Sequence, residues 1–103
     1  MFQNDTGRHE QGLKLFHDGL QLDAAGKTEE AIDRYRSAVS CCPDLAQAHY
    51  SLGFDLALVG QCDEAVRAWR RAVWLNRDYR RELSKALSVD DELEEIETTP
   101  SRV

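Results

Sequence analysis

The chain has 103 residues, of which 42% are hydrophobic and 31% are charged, and its formal net charge is −6. This length and apolar share fit one small domain with a packed core and argue against disorder throughout. The acidic balance argues against a nucleic-acid binder whose affinity comes from a basic surface, and no apolar run approaches the ~18 residues that mark a membrane span.

The N-terminal residues 1–11 are expected to form a flexible arm. Residues 1–8 lack the charged segment, the apolar run and the small-residue cleavage site of a signal peptide. We therefore expect a soluble, cytoplasmic protein.

Residues 12–45 align without a gap on residues 46–79, which reveals an internal repeat. Apolar residues recur at three- and four-residue spacings, so each copy predicts a helix, a turn and a second helix. Gly26 and Gly60 should end the first helix of each copy, and Pro43 marks the break between the copies. The identical positions include Gly19/Gly53, Gly26/Gly60, Ala31/Ala65 and Ala38/Ala72.

Small and large residues alternate in a way that predicts how the helices pack. Gly19 and Gly53 would let a facing helix approach closely, and the large Tyr35 and Trp69 would fill the space beside them. One hairpin cannot bury this much apolar surface, so we expect the two copies to stack.

Both copies resemble the tetratricopeptide repeat, whose signature places Leu-Gly, alanine, an aromatic residue and alanine at fixed spacings. The chain departs from that pattern at Asp18, where leucine is usual, and at Arg77, where proline is usual. The resemblance covers residues 12–79. It implies an all-α fold of two helix-turn-helix hairpins stacked as a short right-handed α-solenoid and closed by a C-terminal solvating helix. The matching residues are Leu52, Gly53, Ala65, Trp69 and Ala72 in the second copy, and Gly19, Ala31, Tyr35, Ala38 and Pro43 in the first.

The C-terminal part of the chain predicts a capping helix over residues 80–97 with an acidic end, followed by a disordered tail over residues 98–103. Charge is segregated here. Residues 67–85 carry seven basic and two acidic side chains, whereas residues 86–103 carry one basic and six acidic side chains, all six between 90 and 97. Such opposite blocks can pair within one chain or between chains, and the sequence leaves both arrangements open.

The family resemblance also implies a ligand groove lined mainly by the first helix of each hairpin. Its lining would be apolar and aromatic, which disfavours the charged clamp that grips a peptide carboxylate in the best-known version of the groove. We expect it to accept an amphipathic helix or an extended apolar segment. The alternative is that some of these residues are ordinary core or are covered by the protein's own tail. The candidate lining residues are Leu13, Phe16, Leu20, Asp23, Gln47, Tyr50, Phe54 and Leu58.

Trp74 occupies a repeat position that usually faces solvent in this family. It either packs under the terminal helix or anchors a second interface together with Arg70 and Arg71. The basic surface of residues 67–85 also permits a minor hypothesis of nucleic-acid binding. The net negative charge and the core repeat position of Trp69 disfavour it, and pairing with the acidic segment 90–97 is the preferred interpretation.

No motif predicts catalysis, a cofactor or a metal. Cys41, Cys42, Cys62 and His49 match no zinc-ligand spacing, so we expect reduced, buried thiols. A nucleophile elbow and a glycine-rich phosphate loop are both missing from the sequence. The sequence therefore predicts a non-catalytic adaptor or chaperone-like scaffold that binds another protein or peptide. The alternative is a structural module that assembles into a homodimer or array through exposed repeat faces.

Overall fold

The computed structural model describes residues 5–87, which form five α-helices and no strand. This confirms the predicted all-α fold. None of the described helices is both long and apolar enough to cross a membrane. The helices are α1 (Asp5–Ala24), α2 (Thr28–Cys41), α3 (Ala46–Leu58), α4 (Cys62–Leu75) and α5 (Asp78–Leu87).

Two glycines end the first helix of each hairpin. Gly26 has a φ of 81° and Gly60 a φ of 87°, in the left-handed region that favours glycine. After Gly26, the amide of Lys27 donates a hydrogen bond to the carbonyl of Leu22 at 2.9 Å, and the equivalent bond after Gly60 measures 2.8 Å. These bonds satisfy carbonyls that the end of a helix would otherwise leave unpaired. The predicted helix ends are confirmed.

The two helices of each hairpin touch where a glycine faces a large aromatic ring. A Cβ atom added to Gly19 would overlap the Tyr35 ring, and one added to Gly53 would overlap the Trp69 indole. Tyr35 is completely buried and Trp69 is 7% exposed. The predicted close approach at both glycines is therefore confirmed.

The two hairpins stack because α2 packs against α3, which joins their apolar side chains into one core. Leu45 precedes α3 and Leu56 lies near its end, and both are buried in that core. An ion pair also crosses the stack, with Arg36 Nη2 lying 2.9 Å from Glu64 Oε1. Both of its side chains are partly exposed, so it contributes no more than about 1 kcal/mol.

Helix α5 lies against α4 and closes the core at this end of the stack. Leu83 is completely buried, and Tyr79 packs against the same core. This is the packing expected of a capping helix. The prediction extended that helix over residues 80–97; the described helix ends at Leu87, so the acidic segment 90–97 and the predicted tail 98–103 lie outside the described residues.

The N-terminal part differs from the predicted flexible arm, because α1 already begins at Asp5. Cys41 Sγ donates a hydrogen bond to the carbonyl oxygen of Arg8 at 3.4 Å, and His9 Nδ1 lies 3.6 Å from Cys42 Sγ. These contacts hold the start of α1 against the end of α2. They join residues 33 positions apart, which local periodicity does not detect. Residues 1–4 of the predicted arm lie outside the described residues.

The three cysteines differ in exposure: Cys42 is buried, Cys41 is half-buried and Cys62 is exposed. The prediction of buried thiols is therefore wrong for Cys62, which opens α4 and faces solvent. Burial, together with the neighbouring Asp44 carboxylate, raises the pKa of the Cys42 thiol. Among residues 5–87, no group of three or more His, Cys, Asp or Glu side chains is arranged to hold a metal ion.

This difference predicts an order of alkylation. Because the thiolate is the reactive form, iodoacetamide should modify the exposed Cys62 well before Cys42, which burial keeps both protonated and out of reach. A time course of peptide mass spectra on the folded protein measures both rates, and the urea-unfolded protein provides the control in which they converge. Equal rates in the folded protein would contradict the burial of Cys42.

Candidate functional site

The first helices of the successive units, α1, α3 and α5, contribute to one surface, here called the first-helix face. The ring centroids of Tyr50 in α3 and Tyr79 in α5 lie 4.5 Å apart. Asp23 in α1 acts electrostatically on Asp55 in α3. Helix α3 therefore has one such neighbour in α1 and another in α5.

Four aromatic rings run across the face from α5 into the core. Tyr50 meets Phe54 edge-on at 5.1 Å, and Phe54 meets Trp69 edge-on at the same distance. Tyr79 adds the fourth ring through its contact with Tyr50. Burial and the nearby Glu82 carboxylate raise the pKa values of both tyrosines. The edge-to-face geometry stabilises these pairs beyond the burial of their area, so the aromatic part of the face is held rigidly.

Two carboxyl groups lie near the hydroxyl of Tyr35. Asp23 Oδ2 accepts a hydrogen bond from the Tyr35 hydroxyl at 2.7 Å. Asp55 is only 5% exposed, and its Oδ2 has no hydrogen-bond partner among the described residues. Burial and the neighbouring Asp23 raise the pKa of Asp55 to about 7. Adjacent carboxylates repel one another, so the negative charge of Asp23 disfavours the ionised form of Asp55.

The predicted groove residues fall into three classes of exposure. Phe16 is 8% exposed and belongs to the core, where its ring lies 5.8 Å from that of Tyr35. Leu20 and Leu58 are 39% and 75% exposed. The remaining members are half-buried: Leu13, Asp23, Gln47, Tyr50 and Phe54.

Sequence reasoning missed Asp55 as a member of this site. Asp55 lies three residues after Leu52 and seven after Ala48, both buried, so the helical spacing already placed it on a core stripe. An acid on such a stripe is the signal that could have found it. Its partner Asp23 lies in another hairpin helix, and only the packing of the hairpins brings the two groups together.

The predicted second interface lies on the outer surface of α4. Trp74 is 74% exposed and therefore does not pack under α5. Arg70 and Arg71 are also exposed, one helical turn before it. Their spacing places all three side chains on neighbouring positions of the helix surface.

Part of the chain matches a known protein family. Residues 19–57 match a family model described as TPR repeat, which extends from the middle of α1 to the end of α3. No curated protein matches the chain. The matched region contains the glycine, alanine and aromatic positions at which the first hairpin packs, and the second hairpin repeats that packing at Gly53 and Trp69. Residues 19–57 are therefore similar to a tetratricopeptide repeat, the family that the sequence pattern also resembles.

Proposed function

We propose that the protein is a non-catalytic adaptor or chaperone-like module that binds an amphipathic helix or an extended apolar segment of another protein on the first-helix face. Tetratricopeptide repeats generally mediate protein–protein interaction, which supports the class of function. The observation that carries the ligand chemistry is the exposure of two large apolar side chains, Leu20 on α1 and Leu58 on α3, where Leu58 follows Phe54 of the aromatic row by one helical turn.

The ligand class follows from which side chains form this face. Leu20 and Phe54 occupy equivalent repeat positions in α1 and α3, and both are apolar. Tyr50 and Phe54 are half-buried and rigidly packed, so they can anchor a ligand at a low cost in conformational entropy. An apolar segment would cover the exposed leucines, whereas a charged peptide terminus would find no cluster of basic side chains among the proposed lining residues.

The proposal predicts that Leu58→Asp weakens peptide binding without unfolding the protein. Leu58 is 75% exposed, so the substitution should leave the helical circular dichroism signal unchanged. Peptides of 16 residues selected from a random display library on the wild type provide the probe, and fluorescence anisotropy measures their affinity. We expect the dissociation constant to rise at least about tenfold. This corresponds to a loss of about 1.4 kcal/mol of binding free energy, as for one apolar interface contact.

Val66→Asp is the matched control, because Val66 is a 37% exposed apolar residue on α4, away from the proposed groove lining. It should bind the selected peptides like the wild type. Phe54→Asp is a poorer probe, since Phe54 packs against Trp69 and its loss would disturb the core. Equal affinity of the wild type and Leu58→Asp would contradict the proposal, and so would selected peptides without apolar residues at helical or alternating spacing.

Self-assembly into a homodimer or array is the second candidate. It is favoured by the same exposed leucines, and by a repeat number below the ~3 that usually make a stable array. Light scattering at several concentrations separates the two candidates. A monomer whose mass does not change with concentration would remove self-assembly and leave the groove proposal intact.

A further inference from the structure

One surface of α4, here called the Trp74 face, combines an exposed aromatic ring with exposed positive charge. It consists of Arg67, Arg70, Arg71 and Trp74, which follow the i, i+3, i+4, i+7 spacing of one helix surface. All four side chains are exposed, and Trp74 retains 74% of its accessible area. The face is separate from the groove residues of α1 and α3.

When the Trp74 face is exposed to water, its clustered positive charges and its tryptophan ring are both energetically unfavourable. Within residues 5–87, none of the three arginines lies in an ion pair with a carboxylate, and like charges three or four positions apart destabilise a helix. An exposed tryptophan leaves a large apolar area hydrated. A segment that covers this face must therefore supply acidic side chains and apolar side chains together.

The chain itself contains a segment with that composition. Residues 90–97 carry six acidic side chains, interrupted by Leu93 and Ile96 at a spacing of three. The segment starts three residues after Leu87, where α5 ends, and α5 lies against α4. The ten residues from 88 to 97 can span up to about 33 Å, more than the ~21 Å length of the 14-residue α4, so the segment can reach the face in the same molecule.

We propose that residues 90–97 bind the Trp74 face of their own chain, with Leu93 and Ile96 against the indole and the carboxylates beside the three arginines. Attachment through a few residues gives the segment an effective concentration in the millimolar range, which favours binding within one molecule over binding between molecules. The interaction does not depend on the function proposed for the first-helix face. It gives the exposed tryptophan and the adjacent opposite charges a single explanation.

Acrylamide quenching of tryptophan fluorescence in the full chain tests this proposal. Trp69 is 7% exposed, so Trp74 dominates the quenching. The Trp74→Phe variant measures the quenching that comes from Trp69 alone. We expect Leu93→Ser/Ile96→Ser to increase the quenching constant of Trp74 severalfold at low salt. Leu20→Ser removes an exposed leucine from the other face and should leave quenching unchanged.

A charge exchange tests the electrostatic part. Arg71→Glu should expose Trp74 to quencher, and adding Glu94→Arg to that variant should restore protection. Equal quenching in the wild type and the Leu93→Ser/Ile96→Ser variant would overturn the proposal. Protection that rises with protein concentration would also overturn it, because the occupant of the face would then be a second copy of the chain.

Discussion

Replacing Gly53 with alanine should lower the free energy of unfolding by about 1–3 kcal/mol, the usual cost of forcing extra atoms into a packed core. A Cβ atom at this position would overlap Nε1 and Cδ1 of the Trp69 indole. The indole cannot simply turn aside, because Phe54 packs edge-on against it. The two helices of the second hairpin must therefore move apart. Urea unfolding monitored by circular dichroism measures the loss.

Gly7→Ala is the control for helix propensity. Gly7 is an exposed glycine within α1, and alanine there should leave stability unchanged or raise it by up to about 1 kcal/mol. The double variant Gly53→Ala/Trp69→Leu should lose less stability than the sum of its two single variants, because a smaller side chain makes room for the new methyl group. Additive losses would show that the clash with the indole is not the cause.

The Gly53–Trp69 contact shows how much of this fold could be predicted from sequence. The repeat alignment pairs Gly19 with Gly53 and Tyr35 with Trp69, so the need for a small residue opposite a large one appears twice in the chain. A packing rule that is repeated can be recognised without coordinates. The helix ends at the positive-φ glycines were predictable for the same reason.

The site was less predictable, because equivalent repeat positions have different surroundings. Phe16 and Tyr50 occupy the same position in the two copies, yet Phe16 is buried while Tyr50 is half-buried and contacts Tyr79. The two positions also have different neighbours, because Tyr50 contacts α5 and Phe16 contacts Tyr35 of α2. Asp55 has no acidic counterpart in the first copy, where Gln21 stands, so the repeat itself gave no hint of a carboxyl pair.

Asp55 gives the second large prediction, a loss of stability as the pH rises from about 4 to about 7. Burial and the nearby Asp23 raise the pKa of Asp55 from 3.8 to about 7 in the folded protein. Between these two values the folded state holds a proton that the unfolded state has released, so unfolding becomes easier as pH increases. A pKa shift of one unit corresponds to 1.36 kcal/mol, so the free energy of unfolding should fall by about 1–4 kcal/mol over this range. The upper end corresponds to a shift of about three units.

Asp55→Asn should remove most of this pH dependence, because asparagine is uncharged and its amide can donate to Asp23 as the protonated acid does. The variant should therefore be more stable than the wild type at pH 8 and close to it at pH 4.5, in urea unfolding curves recorded across that range. Asp33→Asn deletes the same charge from an exposed position on α2. In this variant the free energy of unfolding should fall with pH as it does in the wild type. If Asp55→Asn instead lost stability at pH 8, the charged carboxylate would have to be stabilised by a cationic partner. The arrangement of Asp23, Tyr35 and Asp55 provides no such cation, so the carboxyl pair would then have to be rearranged in solution.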